Sequence, residues 1–134
     1  MELLVNIDVS DLQEAMLFYT EAFGLKVGRR FGGEAAELLG VSSSIYLLQK
    51  ARGTPAAKGI PQRRDYDRHW TPVHLDFVVP DVEAAVQRAV TAGARLEGEI
   101  RTHKWGRIAV LADPFGHGVC ILQFLGRGYD EISS

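Results

Sequence analysis

Apolar residues recur with helical spacing in two segments of the chain, 9–25 and 79–95. In both segments they follow the i, i+3, i+4, i+7 pattern that places them along one side of a helix. Within these segments, Asp11 and Asp81 directly precede the first helically spaced apolar residues, Leu12 and Val82. A short carboxylate in that position accepts free N–H groups of the first helical turn. The pattern therefore predicts two amphipathic helices that start after these aspartates.

Short strand-like runs, separated by turn residues, surround each predicted helix. One run precedes each helix and three follow it: LKVGRRF, EAAELLG and SSIYLLQ in the first half, ARLEGEIRT, GRIAVLAD and GVCILQF in the second. Alternating apolar and polar residues in such short runs are typical of half-buried strands. Because the order strand, helix, strand, strand, strand occurs twice, we predict an α+β fold of two tandem βαβββ modules.

The predicted modules divide the chain into four parts. Module one covers 1–50, module two covers 72–125, and a polar tail covers 126–134. The segment 51–71 between the modules is polar and contains several Pro, Gly and Arg residues, which is typical of a linker or a lid loop. A length of 134 residues suits a single domain, and we predict one.

Composition and charge narrow the range of partners. Apolar residues make up 46% of the chain and charged residues 24%, with a formal net charge of −2. We therefore expect neither nucleic acid nor a membrane as a partner, since the charge favours neither and no segment approaches the ~18–20 apolar residues that span a bilayer. The N-terminal residues lack the basic start of a secretory signal. With Cys120 as the single cysteine no intrachain disulfide can form, and we expect a cytoplasmic protein.

Alternation within the predicted strands separates a helix-facing side from a polar side. The residues predicted to pack on the helices are Val5, Ile7 and Val9 in 4–9, Val73, Leu75, Phe77 and Val79 in 73–79, and Ile108 and Val110 in 105–112. The opposite side then holds Asn6 and Asp8, His74 and Asp76, and Trp105 and Arg107. A face with this many hydrogen-bonding groups is a candidate binding surface.

Three stretches carry a resemblance to a known superfamily. They are VSDLQEAMLFYTEAFGLKV in the first half, and HLDFVVPDVEAAV and DPFGHGVCILQF in the second. They resemble the vicinal oxygen chelate superfamily, which includes glyoxalase I, extradiol dioxygenases, and the fosfomycin and bleomycin resistance proteins. The resemblance covers nearly the whole chain. It implies curved mixed sheets that form a cup-shaped pocket, a small-molecule ligand or substrate, and a homodimer.

The resemblance also implies positions for a divalent metal, which would be zinc, nickel, iron or manganese. These positions fall at Leu4 and Tyr46 in the first half and at His74 and Cys120 in the second. Leu4 has no ligand atom, Tyr46 suits such ions poorly, and a Cys120 thiolate would suit zinc. We therefore predict that the usual four-ligand site is missing. If a metal binds, the expected ligands are His74, Cys120 and Glu37.

Alternation and resemblance together define the candidate site residues. We predict His74 and Asp76 as catalytic residues, and as ligand-binding residues Asn6, Asp8, Tyr46, Trp105, Arg107 and Cys120. Three roles stay open for His74: a structural residue bonded to a carboxylate, a substrate-contacting or acid–base group, and a metal ligand. Three roles also stay open for Arg107: a solvated strand residue, a partner of Asp76, or a group that binds a ligand carboxylate or phosphate.

Three functions are compatible with these residues. The first is a metal-free binding protein of the bleomycin-resistance kind, which takes a small aromatic or anionic molecule. The second is a glyoxalase- or isomerase-type enzyme in which His74 acts as acid or base and Arg107 stabilises an oxyanion. The third is a metal enzyme, for example of the dioxygenase type, with an off-pattern site. We predict the first function, without a cofactor, and leave open whether the protein is an enzyme.

Overall fold

The computed structural model describes all residues, 1–134, as two compact units, Met1–Asp67 and Arg68–Ser134. We refer to them as unit 1 and unit 2. Each unit contains one mixed sheet and one α-helix that packs on that sheet. The predicted α+β fold of two tandem modules is confirmed. The predicted linker is divided, since 51–67 belongs to unit 1 and the next residues to unit 2.

Unit 1 has a four-stranded sheet. Its elements are β1 (Val5–Val9), α1 (Leu12–Phe23), β2 (Lys26–Phe31), β3 (Ala35–Leu39) and β4 (Ile45–Gln49). The strand order is β1-β4-β3-β2, in which β1 runs parallel to β4 and the other pairs are antiparallel. The strands β1 and β2 therefore form the two edges of the sheet.

Unit 2 repeats this topology with one addition. Its elements are β5 (Leu75–Val78), α2 (Val82–Ala92), β6 (Arg95–Leu96), β7 (Arg101–His103), β8 (Gly106–Ala112), β9 (Gly118–Phe124) and a 3₁₀ helix (Gly128–Glu131). The order is β5-β9-β8-β6, with β7 also paired to β8. The run 94–102, predicted as one strand, is interrupted at Gly98, whose φ of 83° lies in the left-handed region.

Each helix buries one apolar side against its own sheet, as the spacing predicts. The buried residues of α1 are Leu12, Ala15, Met16, Phe18, Tyr19 and Ala22, and those of α2 are Val82, Ala85, Val86 and Ala89. The predicted packing of Val73 is wrong: it is 82% exposed, because β5 begins only at Leu75. Neither α-helix has the length and apolar character that crossing a membrane requires.

The predicted N-cap residues are confirmed at both helices. The Asp11 carboxylate accepts the backbone N–H of Glu14 at 2.8 Å, and the Asp81 carboxylate accepts that of Ala84 at 3.1 Å. Each aspartate has extended backbone angles, as an N-cap requires. The local sequence therefore fixes where both helices start.

A second cap comes from the last strand of each unit. The Gln49 side-chain oxygen accepts the N–H of Leu12 at 2.8 Å, and the Gln123 oxygen accepts the N–H of Val82 at 3.0 Å. Both acceptors lie near the ends of β4 and β9, next to the strand that leads into the helix. These bonds join the first helical turn to the sheet in the same way in both units.

We expect Gln49→Ala and Gln123→Ala each to lower the free energy of unfolding by about 1 kcal/mol, because a first-turn N–H loses its acceptor. Urea denaturation measures this. A matched control is Gln87→Ala on α2, whose side chain bonds only the exposed Thr91 hydroxyl at 3.3 Å. The control should stay within about 0.5 kcal/mol of the parent protein. Equal effects in the cap variants and the control would contradict the capping role.

Candidate functional site

Three predicted site residues meet on the sheet face of unit 2 that lies opposite α2. Asp76 in β5 and Cys120 in β9 are register partners, and His74 immediately precedes β5. The His74 Nε2 atom lies 3.2 Å from Asp76 Oδ1, and single ligand atoms of all three residues lie within 4.8 Å of one another. We call these residues the His74–Asp76–Cys120 group. Parallel pairing of the first and last strands of the unit brings them together.

Cys120 is a protonated thiol in this group. Its side chain is buried, with 3% of the residue exposed. Burial, followed by the negative charge of Asp76 and a hydrogen bond to it, raises the pKa of the Cys120 thiol to about 11. At neutral pH the thiol therefore donates a hydrogen bond to the Asp76 carboxylate, and it is a poor nucleophile.

An aromatic surface lies beside His74. The Trp70 ring is tilted by 32° against the His74 ring with their centroids 4.8 Å apart, and Trp70 is 47% exposed. It lies on Gly118, where an added Cβ would come within 1.6 Å of the Trp70 ring. The Arg68 guanidinium lies 5.2 Å from the centroid of the same ring. The sequence pattern does not indicate Trp70 as a site residue, because Trp70 belongs to an irregular segment without helical or strand periodicity.

The residues before Trp70 are held in place by several contacts within unit 2. Arg68 forms two hydrogen bonds to the Glu97 carboxylate, at 2.7 and 2.5 Å, which lower the pKa of Glu97. The His69 backbone N–H donates to the Gly116 carbonyl at 2.9 Å, and the ring nitrogens of His69 and His117 are also 2.9 Å apart. These contacts fix the segment that carries Trp70.

The corresponding face of unit 1 is occupied by an ion-pair network. Asn6, Tyr46 and Glu37 are register neighbours across β1, β4 and β3. The Tyr46 hydroxyl donates to Glu37 Oε2 at 2.8 Å, and Arg29 donates to both carboxylate oxygens. Hydrogen bonds from Arg29 and then from Tyr46 lower the pKa of Glu37 to about 2 although Glu37 is only 5% exposed. Asp8, on the same face, accepts a hydrogen bond from Arg64 Nε at 2.6 Å.

The prediction that Arg107 lies on the polar face of the sheet, opposite the helix, is wrong. Ala109 and Leu111 are fully buried on the helix-facing side of β8, and Arg107 shares that side. Arg107 Nη2 donates to Glu83 Oε1 in the first turn of α2 at 2.8 Å. Nearly every residue of β8 is apolar, so alternation alone could not distinguish its two faces, and the prediction was out of phase by one residue.

Trp105 belongs to a different cluster from Trp70. Its ring is parallel to the His103 ring with centroids 5.3 Å apart, and it contacts the rings of Tyr129 and Phe124. These contacts lie around the 3₁₀ helix at the end of the chain. The structure thus places Trp105 in aromatic packing with the predicted tail, whereas Trp70 contacts His74.

The residues at the implied metal positions do not fit the usual four-ligand set. Leu4 has no ligand atom, and the Tyr46 hydroxyl is already bonded to Glu37. Both Glu37 oxygens accept hydrogen bonds from Arg29. Within unit 2, the His74–Asp76–Cys120 group still offers nitrogen, oxygen and sulfur donors that could hold an ion.

The chain matches the glyoxalase-like domain family over residues 4–122 and therefore belongs to that family. Among its relatives is the protein Mb0911c of Mycobacterium bovis, which is 32% identical over 112 residues that make up 81% of this chain and 74% of that protein. The protein Rv0887c of Mycobacterium tuberculosis is 32% identical over 112 residues, which cover 81% of this chain and 66% of the relative.

Together with the family match, solved structures confirm the fold that the resemblance to the vicinal oxygen chelate superfamily implies. The fosfomycin resistance protein FosX of Listeria monocytogenes, solved with Mn(II) and a dihydroxypropylphosphonic acid, matches with a TM-score of 0.73 at 15% identity, covering 99% of this chain and 97% of that one. A glyoxalase-related enzyme of Fulvimarina pelagi gives 0.72 at 19% identity, with 92% and 87% covered. The antibiotic-binding protein TnmS3 of a Streptomyces species gives 0.65 at 23% identity, with 93% and 96% covered.

The low pKa of Glu37 predicts a pH dependence of stability. Because the folded-state pKa of about 2 lies below the ordinary 4.5, the stabilisation is complete above that ordinary value and is lost as the pH falls toward 2. We expect Glu37→Gln to lower the stability near neutral pH and to reduce this acid-induced loss. Urea midpoints between about pH 6 and about pH 3 test it.

Glu34→Gln is the matched control, since Glu34 is an exposed carboxylate just before the same strand. It should keep the pH profile of the parent protein. If Glu37→Gln and Glu34→Gln gave the same profile as the parent, the Arg29–Glu37 interaction would not contribute to the acid sensitivity.

Proposed function

We propose that this protein binds a small aromatic molecule, neutral or anionic, at the surface formed by Trp70 and His74, without the four-ligand metal site of its superfamily. The observation that carries the proposal is the half-exposed Trp70 ring beside His74. Large exposed aromatic rings next to a polar group are typical of ligand contacts, since stacking and hydrogen bonding can act together. The fold is shared with proteins that bind antibiotics, such as TnmS3.

The position of His74 suggests how the polar part of a ligand would be recognised. Because Asp76 is an acceptor near Nε2, it favours the tautomer with a proton on Nε2 and leaves Nδ1 as an acceptor. A phenolic hydroxyl or an amide N–H on the ligand would then donate to Nδ1. If the bound molecule is also transformed, His74 is placed to accept that proton, which is the enzymatic alternative of the glyoxalase or isomerase type.

Two further parts of the proposal concern the state of the protein in the cell. The resemblance to the superfamily supports a homodimer. The single buried thiol of Cys120 supports a reducing cytoplasmic location, where a free cysteine stays reduced.

Calorimetric titration with 4-hydroxybenzoate, and with cyclohexanecarboxylate as a non-aromatic control, tests the aromatic site. We expect saturable binding of the aromatic probe only. Trp70→Leu should weaken it about tenfold, since loss of a stacked aromatic pair accounts for roughly 1.4 kcal/mol. Gly118→Ala should act similarly, because its new methyl group displaces the Trp70 ring.

The matched control for the glycine variant is Gly33→Ala, where an added Cβ has open space. It should bind the probe as the parent protein does. Unchanged binding in both Trp70→Leu and Gly118→Ala would rule out the Trp70 surface as the binding site.

A second candidate function is a metal-dependent reaction at the His74–Asp76–Cys120 group. The observation in its favour is the approach of three ligand atoms to within 4.8 Å. The mixed nitrogen, oxygen and sulfur donors suit zinc better than magnesium or calcium. Since the pKa of Cys120 is about 11, zinc binding would have to release the thiol proton, and the affinity would rise with pH.

Elemental analysis and zinc titration separate the two candidates. The metal candidate predicts roughly one zinc ion per chain, lost in Cys120→Ala and in His74→Ala, because each variant removes one donor. His103→Ala, which changes an exposed histidine outside the group, should not alter the zinc content. Zinc, nickel, iron and manganese that are all absent from the purified protein and do not bind on addition would eliminate the metal candidate and favour the first proposal.

A further inference from the structure

An irregularity in the edge strand β2 determines where Arg29 lies relative to Glu37. The register between β2 and β3 shifts between Val27 and Arg30, so Gly28 and Arg29 form a bulge. An added Cβ at Gly28 would lie 2.6 Å from Glu37 Oε1, so glycine leaves the space that the carboxylate occupies. The Arg29 backbone N–H donates to the same oxygen at 3.2 Å. Bulges of this kind redirect side chains near binding sites.

The hydrogen bonds of the Arg29 guanidinium use only part of its donors. Nε donates to both Glu37 oxygens at 3.1 Å, and Nη2 donates to Glu37 Oε2 at 2.5 Å and to the Tyr46 hydroxyl at 3.0 Å. None of these bonds involves Nη1, and 68% of the Arg29 side chain is exposed. An arginine carries N–H donors on all three nitrogens, so the donors of Nη1 stay available to a ligand.

This arrangement holds the guanidinium in advance of binding. Glu37 is buried and stays ionised at neutral pH, since Arg29 lowers the pKa of its carboxyl to about 2. A long side chain that is already fixed loses little conformational entropy when it binds a ligand. The planar guanidinium also matches the two oxygens of an oxyanion better than an ammonium group does.

The surroundings of Arg29 indicate the chemistry of the ligand. The Phe31 ring lies 5.9 Å from the Arg29 guanidinium carbon and 6.2 Å from the Tyr46 ring, and Phe31 is half-exposed. Strand β2 contains no acidic residue that would repel an anion near Arg29. An exposed ring beside an oriented cation suits an aromatic molecule with an acidic group.

We propose that Arg29 binds the oxyanion of a small aromatic acid, such as a carboxylate or a phosphonate, through Nη1, with the aromatic ring of the ligand on Phe31. The site is built from residues of unit 1 alone and does not depend on the Trp70–His74 surface. A purely structural ion pair that closes the edge strand is the competing explanation. It predicts a loss of stability when the pair is removed, but no ligand binding.

Benzoate and phenylphosphonate are the probes, with benzyl alcohol as the uncharged control. We expect the Nε–H signal of Arg29 in NMR spectra to shift saturably with either acid and not with the alcohol. Calorimetry of the same titration should show that Arg29→Lys weakens binding about tenfold, because it keeps the charge but loses the planar guanidinium. Arg30→Gln removes a positive charge from the same strand but leaves the Arg29 guanidinium in place. It should bind benzoate within about twofold of the parent protein.

A double variant distinguishes loss of ligand binding from loss of the fold. Arg29→Gln combined with Glu37→Gln removes both ions together and leaves no unpaired buried charge. Urea denaturation should show that this double variant is folded, and its benzoate binding should be lost when Trp70→Leu is also present to remove the other proposed aromatic site. An unshifted Arg29 signal, or equal benzoate affinities in Arg30→Gln and the folded double variant, would overturn the proposal. Failure of the Trp70 variants to affect binding would leave this site unaffected, because none of its residues is changed.

Discussion

In each unit the first strand pairs in parallel with the last, β1 with β4 and β5 with β9. A parallel pair requires a long crossover connection, which consists of a helix and two strands in unit 1 and of a helix and three strands in unit 2. The pairing sets Asp76 beside Cys120 and Asn6 beside Tyr46. It also brings the strand glutamines to the helix starts. Both the helix positions and the polar faces of the sheets therefore depend on these two parallel ladders.

The same framework carries different chemistry in the two units. In unit 1, Glu37 is an ionised carboxylate bound by a guanidinium, so the network is a fixed ion pair. In unit 2, the register neighbour of Cys120 on β8 is Val110, and no arginine reaches Asp76 through an ion pair. Asp76 instead lies next to a histidine and a protonated thiol. The face of unit 1 thus holds an ion-pair network, whereas the face of unit 2 holds a histidine and a thiol beside a carboxylate.

Much of the fold follows from local signals in the sequence. Helical spacing and the aspartate caps were sufficient to predict the two helices, because each of these signals acts within one or two helical turns. The repeated order of the elements then predicted the two modules. The grouping of His74, Asp76 and Cys120 was partly predictable, since alternation places the first two on one side of a strand. The position of Cys120 in this group was predicted from the resemblance to the superfamily.

The remaining features depend on contacts that no local pattern encodes. The bulge at Gly28 breaks the two-residue period, so the relation of Arg29 to Glu37 could not be derived from alternation. The phase of β8 was ambiguous because its residues are almost uniformly apolar. Trp70 lies in an irregular segment, and its position depends on the space above Gly118. The raised pKa of Cys120 arises from burial, which is a property of the assembled sheet.

The space above Gly118 has a consequence for how this surface can change over evolutionary time. The Trp70 ring occupies the volume that any other side chain at Gly118 would need, so a single nucleotide change in one glycine codon can remove the aromatic surface without altering His74 or Asp76. The reverse change would restore it in one step. A substitution at this position therefore moves the Trp70 ring and leaves the residues His74 and Asp76 themselves unchanged.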